Sequence, residues 1–125
     1  MGTMRILLVD DEKEFVTTLA ERLELRGFKA DWATNSEDAF RHVEKERYDV
    51  AVLDVKMPRV GGFELKGLLK ERCPKMKFIF LTGHGSEADY ITGCSEGACY
   101  FLKPIDIQLL VSSIQEVMGK GGGAP

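Results

Sequence analysis

Val50-Ala51-Val52-Leu53-Asp54 is apolar at four consecutive positions and then stops on a carboxylate. A strand with one wet face alternates apolar and polar side chains. A strand that is apolar throughout must be covered on both faces, as parallel strands are by the helices packed on them. Ile6-Leu7-Leu8-Val9 and Phe78-Ile79-Phe80-Leu81 have the same character. With two further runs they predict five strands, over 5–9, 29–33, 50–53, 78–81 and 99–102. The run at 29–33 mixes Lys29 and Asp31 with apolar residues and is expected at an edge.

Between the strands the hydrophobic period changes from two to 3.6. Phe15, Leu19 and Leu23 fall on one helical face, and Gly27 is placed to end that helix. Ser36 is the expected N-cap of the next, with Glu37 and Asp38 in the first turn, where the helix dipole favours them. Ala39, Phe40 and Val43 make its apolar stripe. Leu65, Leu68 and Leu69 mark a third helix, and Ile107, Leu110, Val111, Ile114 and Val117 mark the last. Residues 86–96 predict a marginal helix, because Ala88 and Ile91 make a thin stripe and Gly93 interrupts it, at about 1 kcal/mol relative to alanine. Such a segment is a candidate for motion. The alternation as a whole predicts an α/β fold, a parallel sheet with right-handed crossovers and helices on both faces.

The chain has 125 residues, 44% of them hydrophobic, which suits one domain whose core needs no disulfide or structural metal. Its formal net charge is −3 and its pI is near 5.4. That balance argues against non-specific nucleic-acid binding, which usually needs a basic face, and the interspersed acidic and basic residues leave no charged tail. The three cysteines, Cys73, Cys94 and Cys99, lack metal-ligand spacing and read as small thiols in a reducing compartment. No apolar run is long enough to span a bilayer and no signal peptide is visible, so the reading is cytoplasmic. Residues 1–4 read as an expression scar or a disordered lead, 5–119 as the domain, and 120–125 as a flexible tail or the start of a linker.

Ligands of parallel sheets bind beyond the carboxyl ends of the strands, near the point where strand order reverses. Asp10-Asp11-Glu12 follow the first strand, Asp54 the third, Thr82 ends the fourth and Lys103-Pro104 follow the fifth. Each alone is ordinary, since aspartate at a strand end is usually a turn or cap residue. Together they bring carboxylates, a hydroxyl and an amine to one edge of the sheet. Two like charges about 4 Å apart repel by roughly 4 kcal/mol at an effective dielectric of about 20. Lys103 offsets part of this, and a divalent cation would offset the rest. Oxygen donors without histidine or thiolate suit Mg²⁺ or Mn²⁺ rather than zinc, and Mg²⁺ readily shares oxygens with a phosphoryl group. The cluster therefore reads as an acidic metal site that recruits a phosphoryl group.

Val9-Asp10-Asp11-Glu12, Leu53-Asp54-Val55-Lys56-Met57-Pro58, Leu81-Thr82 and Lys103-Pro104 together resemble the receiver domain of bacterial two-component response regulators. The resemblance spans residues 5–118. It implies a flavodoxin-like (βα)5 fold, with a five-stranded parallel sheet of order 2-1-3-4-5 and helices on both faces. It implies that Asp54 is the phosphoacceptor, charged by the phosphohistidine of a sensor histidine kinase or a phosphotransfer protein. Asp11, Asp54 and the backbone carbonyl of Lys56 would be metal ligands, and Asp10 would act through a metal-bound water. Lys103 would pair with a phosphoryl oxygen, the Thr82 hydroxyl would bond another, and Tyr100 would turn inward as Thr82 moves. The output face would be the last two helices and the strand between them, residues 86–115. It would meet an output domain, a partner protein or, after phosphorylation, a second copy of the chain. The domain would be a phosphoacceptor switch that assists its own phosphorylation and dephosphorylation, not an enzyme turning over an external substrate. It would touch neither nucleic acid nor membrane directly.

Some positions depart from the commonest pattern of that family. Gly61-Gly62 stand where it often has Asp-Gly, which should loosen the turn after Pro58. Lys56 and His84 occupy places that in the family tune the lifetime of the phosphoryl group, although both pointing to solvent is an equal alternative. Tyr100 has the plainer reading of an aromatic filler. His84 has no second histidine nearby with which to bind a metal, and His42 is expected exposed in mid-helix. Two other classes fit worse. A phosphatase of the haloacid dehalogenase group carries Asp-x-Asp on the first strand and a cap domain, whereas this chain has Asp10-Asp11-Glu12 and no cap. A flavodoxin-like cofactor domain needs a loop of hydroxyl and glycine residues after the first strand, and this acidic loop would repel a phosphate. A receiver kept only as a docking surface would not need all five site residues, and all five are present.

Overall fold

The computed structural model describes residues 3–83, 93–95 and 98–122. Its elements run β1 (Arg5–Val9), α1 (Lys13–Leu25), β2 (Lys29–Ala33), α2 (Ser36–Lys45), β3 (Val50–Asp54), α3 (Gly62–Arg72), β4 (Lys77–Thr82), β5 (Gly93–Ser95), β6 (Ala98–Leu102) and α4 (Ile107–Gly122). The sheet order is β2-β1-β3-β4-β6-β5. Every pairing from β2 to β6 is parallel. The five parallel strands thus stand in the expected order, 2-1-3-4-5 when the short β5 is left uncounted.

The unbroken apolar strands are explained by what lies on each side. Ile6, Leu8, Val50, Val52, Ile79 and Leu81 pack with Val16, Leu19 and Leu23 of α1 and with Leu110, Ile114 and Val117 of α4. Their neighbours in sequence, Leu7, Val9, Ala51, Leu53, Phe78 and Phe80, pack with Ala39 and Val43 of α2 and with Leu65 and Leu69 of α3. Alternate side chains point to opposite faces, so two helical layers require an apolar residue at each position. Each fully buried Leu, Ile or Phe contributes roughly 1.5–3 kcal/mol.

Four expectations are corrected. Residues 93–95 of the predicted helix form β5, which pairs antiparallel with the outer edge of β6. The open edge of β6 offers unpaired backbone groups, and a three-residue segment satisfies them without a helical stripe. The remainder of that predicted helix, 86–92 and 96, lies outside the described residues. Second, Cys73 is free, but Cys99 is disulfide-bonded rather than a thiol; the β5–β6 register sets the backbone of Cys94 opposite that of Cys99. Third, α2 is capped by Asn35, whose Oδ1 accepts the Asp38 N–H at 2.8 Å. The Ser36 hydroxyl instead donates to the Val60 carbonyl at 3.2 Å. Fourth, His42 is half-buried. Its Nε2 meets the Trp32 carbonyl of the edge strand β2 at 3.1 Å, while Tyr48 Oη donates to Asp31 Oδ2 at 2.6 Å. Among the described residues no helix is long and apolar enough to cross a membrane.

Candidate functional site

The carboxyl ends of β1, β3, β4 and β6 deliver the predicted residues. The Asp10 N–H donates to the Ala33 carbonyl at 3.1 Å, which keeps Asp10 in line with the sheet. Its Oδ1 accepts the Glu12 N–H at 2.9 Å, a local turn that swings the chain into α1. Asp54 closes β3 opposite Leu81. The Val55 N–H donates to the Leu81 carbonyl at 2.9 Å, and the Gly62 N–H returns to the Val55 carbonyl at 2.9 Å. The connection from β3 to α3 is therefore folded hard against the strand end. A Cβ on Gly62 would lie 2.3 Å from the Asp54 carbonyl oxygen, and one on Gly61 would lie 2.9 Å from that of Val55. The turn is tight here, against the expectation that Gly61-Gly62 would loosen it. Arg59 adopts φ 69° in the same loop, a left-handed conformation that costs a side-chain-bearing residue about 1–2 kcal/mol. On the far side, the Lys103 N–H donates to the Thr82 carbonyl at 2.7 Å.

The Lys103 ammonium lies 2.7 Å from Asp10 Oδ2, 3.0 Å from Glu12 Oε1 and 3.7 Å from Asp54 Oδ2. The ring of Phe15 is centred 4.9 Å from it. Asp10, Asp11 and Asp54 each present an oxygen within 4.8 Å of the other two; Asp10 and Asp54 are buried and Asp11 is exposed. Burial, then the neighbouring Asp10, pushes the Asp54 carboxyl up to about 6, with Lys103 and a hydrogen bond from the Lys56 backbone pulling the other way. Burial likewise raises Asp10 above the ordinary carboxylate range, although the Lys103 ammonium beside it opposes the rise. Burial would lower Lys103, but its bonds to Asp10 and Glu12 prevail and its value is raised.

The donor set suits a hard divalent cation. All three groups are carboxylates, with no imidazole or thiolate among them. Asp10 Oδ2 is buried and accepts no well-directed hydrogen bond, its partner being the ammonium of Lys103. Exposed Asp11 opens the cluster to solvent. An oxygen-only cluster that keeps room for water fits Mg²⁺ or Mn²⁺. No other group of three such side chains exists among the described residues.

Of the predicted site residues, Asp10, Asp11, Asp54 and Lys103 converge. Thr82 is buried at the end of β4, one residue beyond the Leu81 that pairs with Asp54. Tyr100 is half-buried on the same face of the sheet, paired with Phe80 two residues before Thr82. Its ring is stacked 5.1 Å from that of Phe80 and lies 6.2 Å from that of Phe63. Lys56 is exposed, and its backbone amide donates to Asp54. His84 lies outside the described residues. Neither Glu12 nor Phe15 was expected beside Lys103. Glu12 was visible next to the aspartate pair, but the spacing did not say that it reaches across to the last strand. Phe15 was absorbed into the stripe of α1.

Comparison with known proteins gives a consistent picture. The family model for the response regulator receiver domain matches residues 6–115. The transcriptional regulatory protein PcoR of Escherichia coli is 31% identical over 115 residues, which are 91% of this chain and 51% of that protein. The transcriptional activator protein IrlR of Burkholderia pseudomallei is 33% identical over 119 residues, 94% of this chain and 52% of that protein. The chain spans about half the length of these curated relatives. Among solved structures, a response regulator receiver domain protein from Clostridium thermocellum superposes with a TM-score of 0.81 at 30% identity, covering 95% of this chain and 97% of that one. The response regulator protein TrrA of Thermotoga maritima, solved in complex with Mg(2+)-BeF, gives 0.77 at 28% identity and covers 92% of this chain and 99% of that one.

Proposed function

The chain belongs to the response regulator receiver domain family of two-component systems, and we propose that it is a phosphoacceptor switch in which Asp54 takes a phosphoryl group from the phosphohistidine of a sensor kinase or phosphotransfer protein. The supporting observation is the convergence on Asp54 of Asp10, Asp11 and Lys103, three charged groups drawn from two other strand ends. An Asp54 carboxylate oxygen attacks phosphorus. The bond from phosphorus to the donor nitrogen breaks, and the imidazole departs with the electron pair. Phosphoryl transfer asks for positioning and charge neutralisation more than for covalent help. Lys103 supplies part of that charge to the equatorial oxygens. Mg²⁺, or Mn²⁺, held by Asp11, Asp54 and the Lys56 carbonyl, and by Asp10 through water, would supply the rest.

The modified Asp54 adds about −1.5 to −2 of charge and new acceptor oxygens. The Thr82 hydroxyl bonds one of them, and Tyr100 follows it inward. The surface around β6 and α4 then changes toward an output domain, a partner protein or a second copy of the chain. The setting we propose is the cytoplasm, where a histidine kinase presents its phosphohistidine. The reading is of a switch that assists its own phosphorylation and dephosphorylation, with no external substrate.

Acetyl phosphate with Mg²⁺ is the direct test. It should add one phosphoryl group to the intact chain by mass spectrometry, with acetate leaving. Asp54→Asn should take none, and Lys103→Ala should take some without the conformational response. An unchanged wild-type mass would overturn the proposal.

A further inference from the structure

We propose that Glu12 is a latch on Lys103, holding the ammonium in the resting chain and releasing it when a phosphoryl group arrives on Asp54. The inference rests on the phosphoacceptor reading and assigns a positioning role to a residue outside the metal cluster. An ammonium has three N–H donors. In the resting chain Asp10 and Glu12 stand at 2.7 and 3.0 Å, while Asp54 stands farther off at 3.7 Å. Lys103 is thus committed to two carboxylates other than the acceptor. Phe15 lies against the ammonium and limits where else it can go.

The two holders differ in their freedom to let go. The Asp10 side chain is only 4% exposed, and its other oxygen is tied to the backbone of Glu12 at 2.9 Å. The Glu12 side chain is 66% exposed, so it can turn into water at little cost. A phosphoryl oxygen on Asp54 is a strong acceptor close to the ammonium, and the pair it can displace is the one with Glu12. The latch keeps Lys103 charged and near the site while leaving its final bond unmade. An ion pair of this exposure shifts an equilibrium by roughly two- to fivefold.

The test uses the full chain with acetyl phosphate and Mg²⁺, timing the gain of one phosphoryl group by intact mass. Beryllofluoride with Mg²⁺ measures affinity for a phosphoryl mimic separately. Glu12→Gln should label about threefold faster and bind the mimic about threefold tighter than wild type. The gain should disappear in a Lys103→Met background. Glu14→Gln removes the same charge from the exposed first turn of α1 and should match wild type. Equal behaviour of Glu12→Gln and wild type would overturn the latch. So would an equal gain in Glu14→Gln or in the Lys103→Met background, because the effect would then be bulk charge. Should Lys103→Met label too slowly to time, the Glu14→Gln comparison decides. A wild type that takes no phosphoryl group removes both the switch and the latch, whereas a labelled wild type with an indifferent Glu12→Gln removes the latch alone.

Discussion

In the proposed role Asp54 would have to be ionised to attack phosphorus, yet its surroundings shift it toward the protonated form. Its value of about 6 in the folded chain lies above the ordinary 3.8. Between these values the folded chain holds a proton that the unfolded chain has released, so the metal-free protein loses stability as pH rises from about 4 to about 6. For this group alone the loss is up to roughly 3 kcal/mol. Lys103 does not disturb that window. Its raised value makes a contribution that is complete below its ordinary 10.5 and is lost only at more alkaline pH. Urea midpoints without metal should therefore be lower near pH 7 than near pH 5. Asp54→Asn should remove much of the difference and stabilise the chain more near pH 7 than near pH 5. A wild-type midpoint independent of pH would contradict the placement of Asp54 among its acidic neighbours. At this level the sequence was informative: the strand-end positions of Asp10, Asp11, Asp54 and Lys103 announced their meeting. The reach of Glu12 to Lys103 was not legible, because a flexible side chain joining elements 91 positions apart leaves no local pattern.

The connection between β3 and α3 turns on two glycines with opposite prospects. Gly62 is pressed against the Asp54 carbonyl, with no space for a methyl group. Gly67 lies in the interior of α3, where an added methyl group would meet nothing within 4 Å. Gly62→Ala should cost about 1–3 kcal/mol by forcing the loop off the strand end and should slow labelling of Asp54. Gly67→Ala should stabilise the chain by about 0.5–1 kcal/mol, since helical glycine is entropically costly. Thermal unfolding of the pair distinguishes them by sign. Strands and helices were readable because their periods are long and their apolar faces complete. The cap of α2 was misread by one residue: Asn35 and Ser36 are both good caps, and only the Val60 carbonyl, from a distant loop, decides between them. Strand β5 was missed because Gly93-Cys94-Ser95 carries no period, and its pairing is set by the edge of β6.

The fold as a whole places its only acidic triad among the described residues at the mouth of a sheet that is otherwise covered on both sides. Carboxylates held together in the native state, and far apart in the unfolded chain, make folding and cation binding mutually supporting. Mg²⁺ at about 100 times its dissociation constant should stabilise the chain by about 2.7 kcal/mol, read as a rise in thermal midpoint at constant ionic strength. Asp11→Ala should reduce that rise sharply, and an undiminished rise would take Asp11 out of the metal site. The strand order followed from alternation and kinship together, since alternation alone gives a parallel sheet without fixing which strands are neighbours.

The outer flank at β2 bears on behaviour in a crowded solution. A sheet margin left bare is a template on which identical molecules can zip together into fibrils. On this margin an imidazole already engages the Trp32 oxygen, and the strand carries Lys29 and Asp31 among its five residues. An incoming copy would have to dislodge one and bury the others. This border is thus guarded by His42, a residue that stands outside the acidic cluster.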